Sequence, residues 1–403
     1  MPAYKDISLY IHIPFCLSKC SYCDFFSRPV GSCIGALEVS YILALENECS
    51  YCKETFGADS WRTVYIGGGT PSLLSASSLK RLLNFLFSQG ISSGAEVTVE
   101  ANPESLTEEK LNVLSSCGVT RLSLGIQSMK KNALNAVGRH CRPEDSLRTL
   151  DLVKKLWKGD LSLDCIAGLP LQSDRDFADS LNHMLEFSPD HFSLYTLTVE
   201  EETPLYLQIE KGDIFFDGED ADRQWFLGRD MLLKNGYSQY EVSNFARPGH
   251  ESRHNGGYWS QKSYAGAGVA ACGTLYGKNS FRTQNCNSIE AYIDFWKEKH
   301  SLGEEIPHLV QEREELDLET LEREYLMMSL RTVTGADEAF YSQHYGSLEE
   351  RLSPSKWWQT LLADGRAVIR GSVGSRFFSL TPDGLLLLNP LLQIGRASCR
   401  ERV

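Results

Sequence analysis

Positive charge is what this 403-residue sequence has least of: 40 Lys and Arg stand against 53 Asp and Glu, a formal net charge of −13. It has no long Lys/Arg run. That deficit argues against nonspecific binding to nucleic acid or to an anionic bilayer, so no nucleic-acid partner is expected. No uninterrupted apolar stretch reaches the roughly 20 residues that a bilayer span needs. The start, MPAYKDISLYIHI, lacks the charged-then-apolar pattern of a secretory signal. A membrane span is therefore not expected, while peripheral membrane contact stays open. With 12 cysteines and no signal, the expectation is a reducing cytoplasm rather than a secreted disulfide framework.

A fourth cysteine is the next absence. Cys16, Cys20 and Cys23 form C-x3-C-x2-C within SLYIHIPFCLSKCSYCDFF, and the position two residues on is Phe25. A closed zinc site or a four-cysteine ferredoxin site needs a fourth ligand; three thiolates on so short a loop can hold three irons of a cubane and leave one open. The plainer alternative is a set of buried cysteines, or a zinc knuckle borrowing His12. Cys49 and Cys52 also make a C-x2-C pair, but they fall in the helix-like stretch YILALENECSYCKETF with no partner pair nearby, and they read as structural.

Up to about residue 200, short β-branched or apolar runs alternate with longer helical patterns, the signature of parallel βα units. Strands are expected at 9–13, 63–66, 96–101, 121–124, 161–166 and 191–196. Six units predict an α/β fold, a sheet that curls as a partial (β/α) barrel without closing. Each expected strand is followed by residues that a core does not need: the cysteine loop, GGGTPS at 67–72, Glu100 with Asn102 and Pro103, GIQS at 125–128, Asp164 with GLP, and Tyr195 with Thr196. The C-terminal strand edges of such folds carry the active site. Gly67, Gly68 and Gly69 let backbone approach a small charged ligand. Glu100 and Asp164 can accept hydrogen bonds, Gln127 can do both, and Arg139 can neutralise a carboxylate.

These motifs together (HIPFCxxxCxxCxF, GGGTPS, EANPES, RLSLGIQS, LDxIxGLP and SLYTLTVEExTPL) resemble the coproporphyrinogen III dehydrogenase-like subfamily of radical S-adenosylmethionine (SAM) proteins over nearly the whole chain. The resemblance implies a [4Fe-4S] cluster on Cys16, Cys20 and Cys23. It also implies SAM surrounded by Tyr10, Tyr22, Gly68, Gly69, Thr70, Glu100, Gln127, Arg139 and Asp164. The subfamily holds an oxygen-independent oxidase and a haem-chaperone branch. Phe25 stands where the oxidase has a further cysteine, almost no extension precedes Cys16, and HNGGYW at 254–259 matches a motif tied to haem in the chaperone branch. The implied function is a chaperone that binds haem and hands it to an acceptor protein not identified by the sequence. His254 would be the iron ligand, with Tyr258 and Trp259 as flat apolar surface and Arg253 for a propionate. His250 ranks below His254. The alternative is a radical SAM enzyme acting on a porphyrinogen. Two departures stand out: His140 is displaced by one residue from the family pattern, and Cys272 stands where a histidine is usual.

The expected domains are 1–211, the barrel with the cluster and SAM site; 212–310, a flanking segment with HNGGYW; and 311–393, a winged-helix-like α+β domain. Residues 305–322 are strongly charged and read as a solvated connection or exposed helix. Helices are expected at 321–331 and 356–362, then a hairpin around Gly371 and Gly374. This domain has no basic recognition stretch and reads as a docking or lid module. The last ten residues, IGRASCRERV, resemble a translated sequencing adapter and are set aside with Cys399. A homodimer stays open.

Overall fold

The computed structural model describes residues 7–31, 34–304 and 306–388, so the adapter-like tail lies outside the described residues. Its first half is a run of parallel units: β1 (Ile7–Ile13), α1 (Ala36–Phe56), β2 (Trp61–Gly68), α2 (Ala76–Ser88), β3 (Ile91–Ala101), α3 (Glu108–Ser116), β4 (Arg121–Gln127), α4 (Pro143–Leu156), β5 (Asp160–Ala167), α5 (Asp174–Leu185) and β6 (His191–Thr196). The six strands pair in sequence order, each parallel to the next. All six expected strands form, each extended at most by a few residues.

The alternation within these strands explains the architecture. On β1, Ile7, Leu9, Ile11 and Ile13 are fully buried in the core shared with the helices. Each contributes about 1.5–3 kcal/mol of burial. The alternate positions are polar: Ser8, Tyr10 and His12 on β1, Thr63 and Tyr65 on β2, Glu96, Thr98 and Glu100 on β3, Ser123 on β4, Ser162 and Asp164 on β5, His191 and Ser193 on β6. Since strand side chains alternate between faces, these line the inside of the curl. Bonds run between them: Thr63 Oγ1 to Ser8 Oγ at 2.8 Å, Tyr65 to Glu100 at 2.7 Å, Ser123 to Asp164 at 3.2 Å, and Ser162 with His191 at 2.8 Å. The lumen is therefore polar, a chamber for chemistry rather than a packed core.

Beyond β6 come α6 (Gly218–Lys234), β7 (Asn244–Ala246), α7 (Arg253–Trp259), β8 (Tyr264–Ala267), β9 (Cys272–Leu275), β10 (Phe281–Asn285) and β11 (Gln311–Glu315). β7 pairs antiparallel with β6, and β8 lies parallel to β1 on the opposite edge. With β9, β10, β11 and the short Ser238–Gln239 strand they complete a twelve-stranded sheet in open order. The apolar cluster running from Ile7 to Val310 serves all of it.

The charged stretch at 305–322 differs from its expectation. Residues 311–315 (QEREE) form an edge strand on β10, and the following helix, Leu318–Ser329, begins within the stretch. Backbone pairing needs no apolar side chains, and a charged edge strand also resists pairing with other chains. A second core, from Tyr325 to Leu388, holds helices Leu318–Ser329, Glu338–His344, Leu348–Leu352 and Lys356–Ala363. Its three-stranded sheet has Ala367–Arg370 and Phe377–Leu380 as an antiparallel hairpin and Ala336–Asp337 on the other side. This is the expected winged-helix-like α+β arrangement. Among the described residues no helix is long and apolar enough to cross a membrane.

Candidate functional site

The cysteine loop leaves β1 at the C-terminal edge of the sheet and is tied down at several points. At its base Phe15–Cys16 pairs with Arg28–Pro29. His12 reaches over to the Phe26 carbonyl at 2.8 Å, so the histidine of HIPF closes the loop. The Ser21 amide bonds the Val137 carbonyl at 2.9 Å, and the Leu205 amide bonds the Ser21 carbonyl at 2.9 Å. Cys16 is buried; Cys20 and Cys23 are half-buried. Burial pushes the Cys16 thiol up, countered by the bond from Thr70. Burial also pushes Cys23 up to about 11, with the neighbouring Cys20 and Cys16 adding to it. Metal binding must displace those protons, which makes loading pH-dependent.

Cys20 and Cys16 both bear electrostatically on Cys23, so the loop gathers the three thiols in one region. Three thiolates so gathered suit three corners of a cubane, or a zinc site completed by a further ligand.

Around the loop, the six strand edges deliver a connected set. Thr70 donates to Cys16 Sγ at 3.6 Å and receives Asn102 Nδ2 at 3.1 Å. Asn102 Oδ1 accepts from Arg139 Nη2 at 3.0 Å; the same Nη2 bonds the Gly125 carbonyl, and Nη1 reaches Cys20 Sγ at 3.9 Å. Arg139 thus joins the loop to two strand ends while itself buried. Its Nε and the Gln127 Oε1 are buried without partners. Gln127 also holds a left-handed backbone (φ 67°) where the β4–β5 register shifts, a strain typical of functional positions.

The glycine run has steric reasons. A Cβ on Gly68 would lie 2.5 Å from the His12 ring, at a φ of +107° that disfavours side chains. On Gly69 it would lie 2.8 Å from the Phe15 carbonyl and 3.1 Å from Cys16 Sγ. The Gly69 amide bonds the Ile13 carbonyl at 2.8 Å, and the Gly68 amide donates to Glu100 Oε2 at 3.0 Å. Glu100 sits on the lumen wall, its surroundings removing most of its hydration. Burial, with Asp164 adding, raises it to about 7 against the bonds from Tyr65 and Gly68. Asp164 is raised by burial and held back by Ser193 and Ser123. Tyr10 stacks on Tyr65 with ring centroids 6.2 Å apart. Tyr22 packs into a satellite cluster with Val137, Ile166 and Leu205, so its ring braces the loop. The glycines thus let β2 close against His12, Phe15 and Glu100, next to the unpartnered atoms of Arg139 and Gln127.

The HNGGYW segment closes the opposite end of the lumen. Glu96 accepts from the amides of Arg253 and His254 at 3.0 and 2.9 Å, seating α7 against β3. His254 is fully buried; its Nδ1 meets Thr63 Oγ1 at 2.8 Å and its Nε2 meets Tyr258 OH at 2.8 Å. Burial and the nearby Arg62 pull it down to about 3, so it is neutral. The open iron ligand expected from the sequence is here an interior histidine with both nitrogens engaged. Trp259 is likewise buried, under the Arg331 guanidinium at 4.9 Å, and Arg253 bonds the Gly94 carbonyl at 2.8 Å. His250 bonds Asp160 at 2.9 Å.

Cys272 faces the same lumen, close enough to bear on Tyr10, Tyr258 and Tyr264. Cys49 and Cys52 are buried in α1, with Cys52 Sγ 3.9 Å from the Gly266 carbonyl. Asn102, Tyr65 and His12 are the residues the sequence reading left outside the SAM set. Asn102 was legible in EANPES; Tyr65 carried no motif.

The Radical SAM superfamily model matches residues 10–184. The chain is 33% identical over 356 residues to the heme chaperone HemW of Bacillus subtilis, covering 86% of this chain and 89% of that one. It is 30% identical over 402 residues to the heme chaperone HemW of Escherichia coli, covering 98% and 99%. Among solved structures, coproporphyrinogen III oxidase (HemN) from Escherichia coli aligns with a TM-score of 0.77 at 21% identity, over 97% of this chain and 90% of that one, which establishes a shared fold. With its three-cysteine loop on a six-unit parallel curl, the chain belongs to the HemW family of radical SAM proteins.

Proposed function

We propose that this protein is a cytoplasmic haem chaperone: it binds haem, passes it to an acceptor protein, and carries a [4Fe-4S] cluster on Cys16, Cys20 and Cys23 beside a SAM site built from Tyr10, Tyr22, Gly68, Gly69, Thr70, Glu100, Gln127, Arg139 and Asp164. The observation that carries the haem reading is the end-to-end match to relatives named heme chaperones, which extends through the HNGGYW segment. Phe25, where the oxidase branch has a cysteine, supports it. The cluster, when bound, supplies an open iron for the amino acid end of SAM. The chain's own part is to hold that ligand: Arg139 and Gln127 offer unused polar atoms, the glycine run lets β2 pack tightly on His12, Phe15 and Glu100 beside them, and Glu100 and Asp164 accept from hydroxyls or an ammonium.

His254 serves as haem ligand only once Nε2 parts from Tyr258. Both residues lie on α7, so freeing Nε2 takes a turn of the Tyr258 side chain, and exposing the buried ring takes movement of α7 off Thr63 and Glu96. The test is an anaerobic haem titration of cluster-loaded protein, comparing wild type, His254→Ala and Tyr258→Phe, with 5′-deoxyadenosine assayed after adding reductant and SAM. One saturable haem, lost in His254→Ala and tightened in Tyr258→Phe, supports the chaperone. Haem binding absent or indifferent to both changes, together with brisk 5′-deoxyadenosine formation when a porphyrinogen is supplied, makes the protein an enzyme instead.

A further inference from the structure

Tyr65 lies outside every motif and yet makes the shortest side-chain bond to the SAM-site carboxylate. Its hydroxyl donates to Glu100 Oε1 at 2.7 Å, while the Gly68 amide holds Oε2 at 3.0 Å. The pair exists because Gly67 has no side chain: a Cβ there would sit 2.8 Å from Tyr65 Cε1 and 2.9 Å from Glu100 Cδ. The Tyr65 ring is itself fixed, with Tyr10 on one side at 6.2 Å and His254 on another at 5.2 Å. Parallel pairing sets Tyr65 opposite Thr98, two residues short of Glu100, so the hydroxyl reaches along the lumen to the carboxylate. The groups that bear on Glu100 are Tyr10 from β1, Tyr65 and the Gly68 amide from β2, Asp164 from β5 and Tyr195 from β6. None is a cation. A partly desolvated carboxylate facing another carboxylate stays ionised only through its hydrogen-bond donors.

We propose that Tyr65 is the positioning residue that keeps Glu100 ionised and aimed as an acceptor for SAM, and that Gly67 is glycine to make room for this bond. The inference rests on the SAM site proposed above and assigns it a residue and a proton that no motif names. Without the Tyr65 hydroxyl, Glu100 takes up a proton at a higher pH, and a protonated carboxyl no longer accepts freely from the ligand.

The experiment is SAM binding to anaerobically cluster-loaded protein by equilibrium dialysis from pH 6 to 9, with wild type, Tyr65→Phe, Gly67→Ala and Glu100→Gln. Phenylalanine keeps the ring between Tyr10 and His254, so folding is preserved, and circular dichroism checks it. Wild-type affinity is expected to fall as pH drops through neutrality. In Tyr65→Phe that fall moves up by about one pH unit, giving roughly fivefold weaker binding at pH 7 and recovery to within about twofold at pH 9. Gly67→Ala moves it the same way, and Glu100→Gln loses this component. The ligand's own amine titrates identically in all four, so the difference isolates Glu100. A Tyr65→Phe profile parallel to wild type, weaker by the same factor at every pH, overturns the inference and leaves the SAM site standing. Wild type that binds no SAM at any pH takes down both.

Discussion

The two ends of the lumen are built from similar residue types and treated in opposite ways. At the cysteine edge, Arg139 Nε and Gln127 Oε1 are buried without partners, Gln127 is strained, and two of three cysteines are half-open. At the floor, His254 spends both nitrogens on Thr63 and Tyr258, and Glu96 accepts from the amides that seat α7. An unmet buried polar group costs about 1–3 kcal/mol; others occur elsewhere, Trp259 Nε1 of α7 among them, so what marks Arg139 and Gln127 is that their unmet atoms come together beside the cysteine loop. The upper end leaves polar atoms open beside the cysteine loop; the floor keeps both nitrogens of its histidine engaged.

The sharpest break in that comparison comes from the loop. Substituting Cys16, Cys20 or Cys23 with alanine should abolish cluster assembly, read as total loss of bound iron and of visible absorbance, while the thermal transition of the metal-free protein moves by less than about 1 kcal/mol for the half-open Cys20 and Cys23. A comparable loss of fold in all three would show the loop to be structural. Next is Arg139→Lys, which keeps the charge but cannot join Cys20, Asn102 and Gly125 at once. SAM affinity should drop by about 10–100-fold with iron content unchanged. Unchanged affinity would remove Arg139 from the site.

At the floor, the stability of the ligand-free chain responds as well as haem affinity. His254→Ala leaves Thr63 and Tyr258 unmet inside the protein and should cost about 2–4 kcal/mol in urea unfolding of the ligand-free chain. Tyr258→Phe, removing one bond, should cost about 1 kcal/mol. Equal, negligible costs would mean the floor is already open in solution.

A last effect, spread over pH, concerns Glu48, buried behind the sheet with the Gly268 amide, Asn285 and Tyr292 all donating to it. Burial outweighs those donors and raises it to about 7 from the ordinary 4.5. A raised folded-state value favours the protonated form, so this group's contribution is full below its ordinary value and is lost as pH rises through about 7. Unfolding free energy should therefore decline by roughly 3 kcal/mol between pH 4.5 and 8 from this source. Glu48→Gln should lack that slope and be less stable at every pH, since its amide turns a donor toward Asn285. A wild-type profile that stays flat would place Glu48 as a permanent anion.

Much of this was legible along the chain. Short β-branched or apolar runs with intervening helical patterns located all six parallel strands, and the unusual residues after each fall at one edge of the sheet. Burial of Cys49 and Cys52 within α1 followed from their helical setting. Residues 311–315 were misread because an edge strand needs only backbone partners, which charged residues supply as well as apolar ones. His254 reads the same in sequence whether its nitrogens are open or engaged, and only the placement of Thr63 and Tyr258 distinguishes the two.

By itself, then, the sequence determined the parallel βα order, the three-thiolate loop and the identity of the glycine cradle, because these depend on residues close in the chain. Tertiary structure decided that Asn102 bridges Arg139 to Thr70, that Tyr65 holds Glu100, and that α7 plugs the lumen with His254 inside. Those relations join strands through lateral register, and register is a property of packed sheets that no local spacing carries.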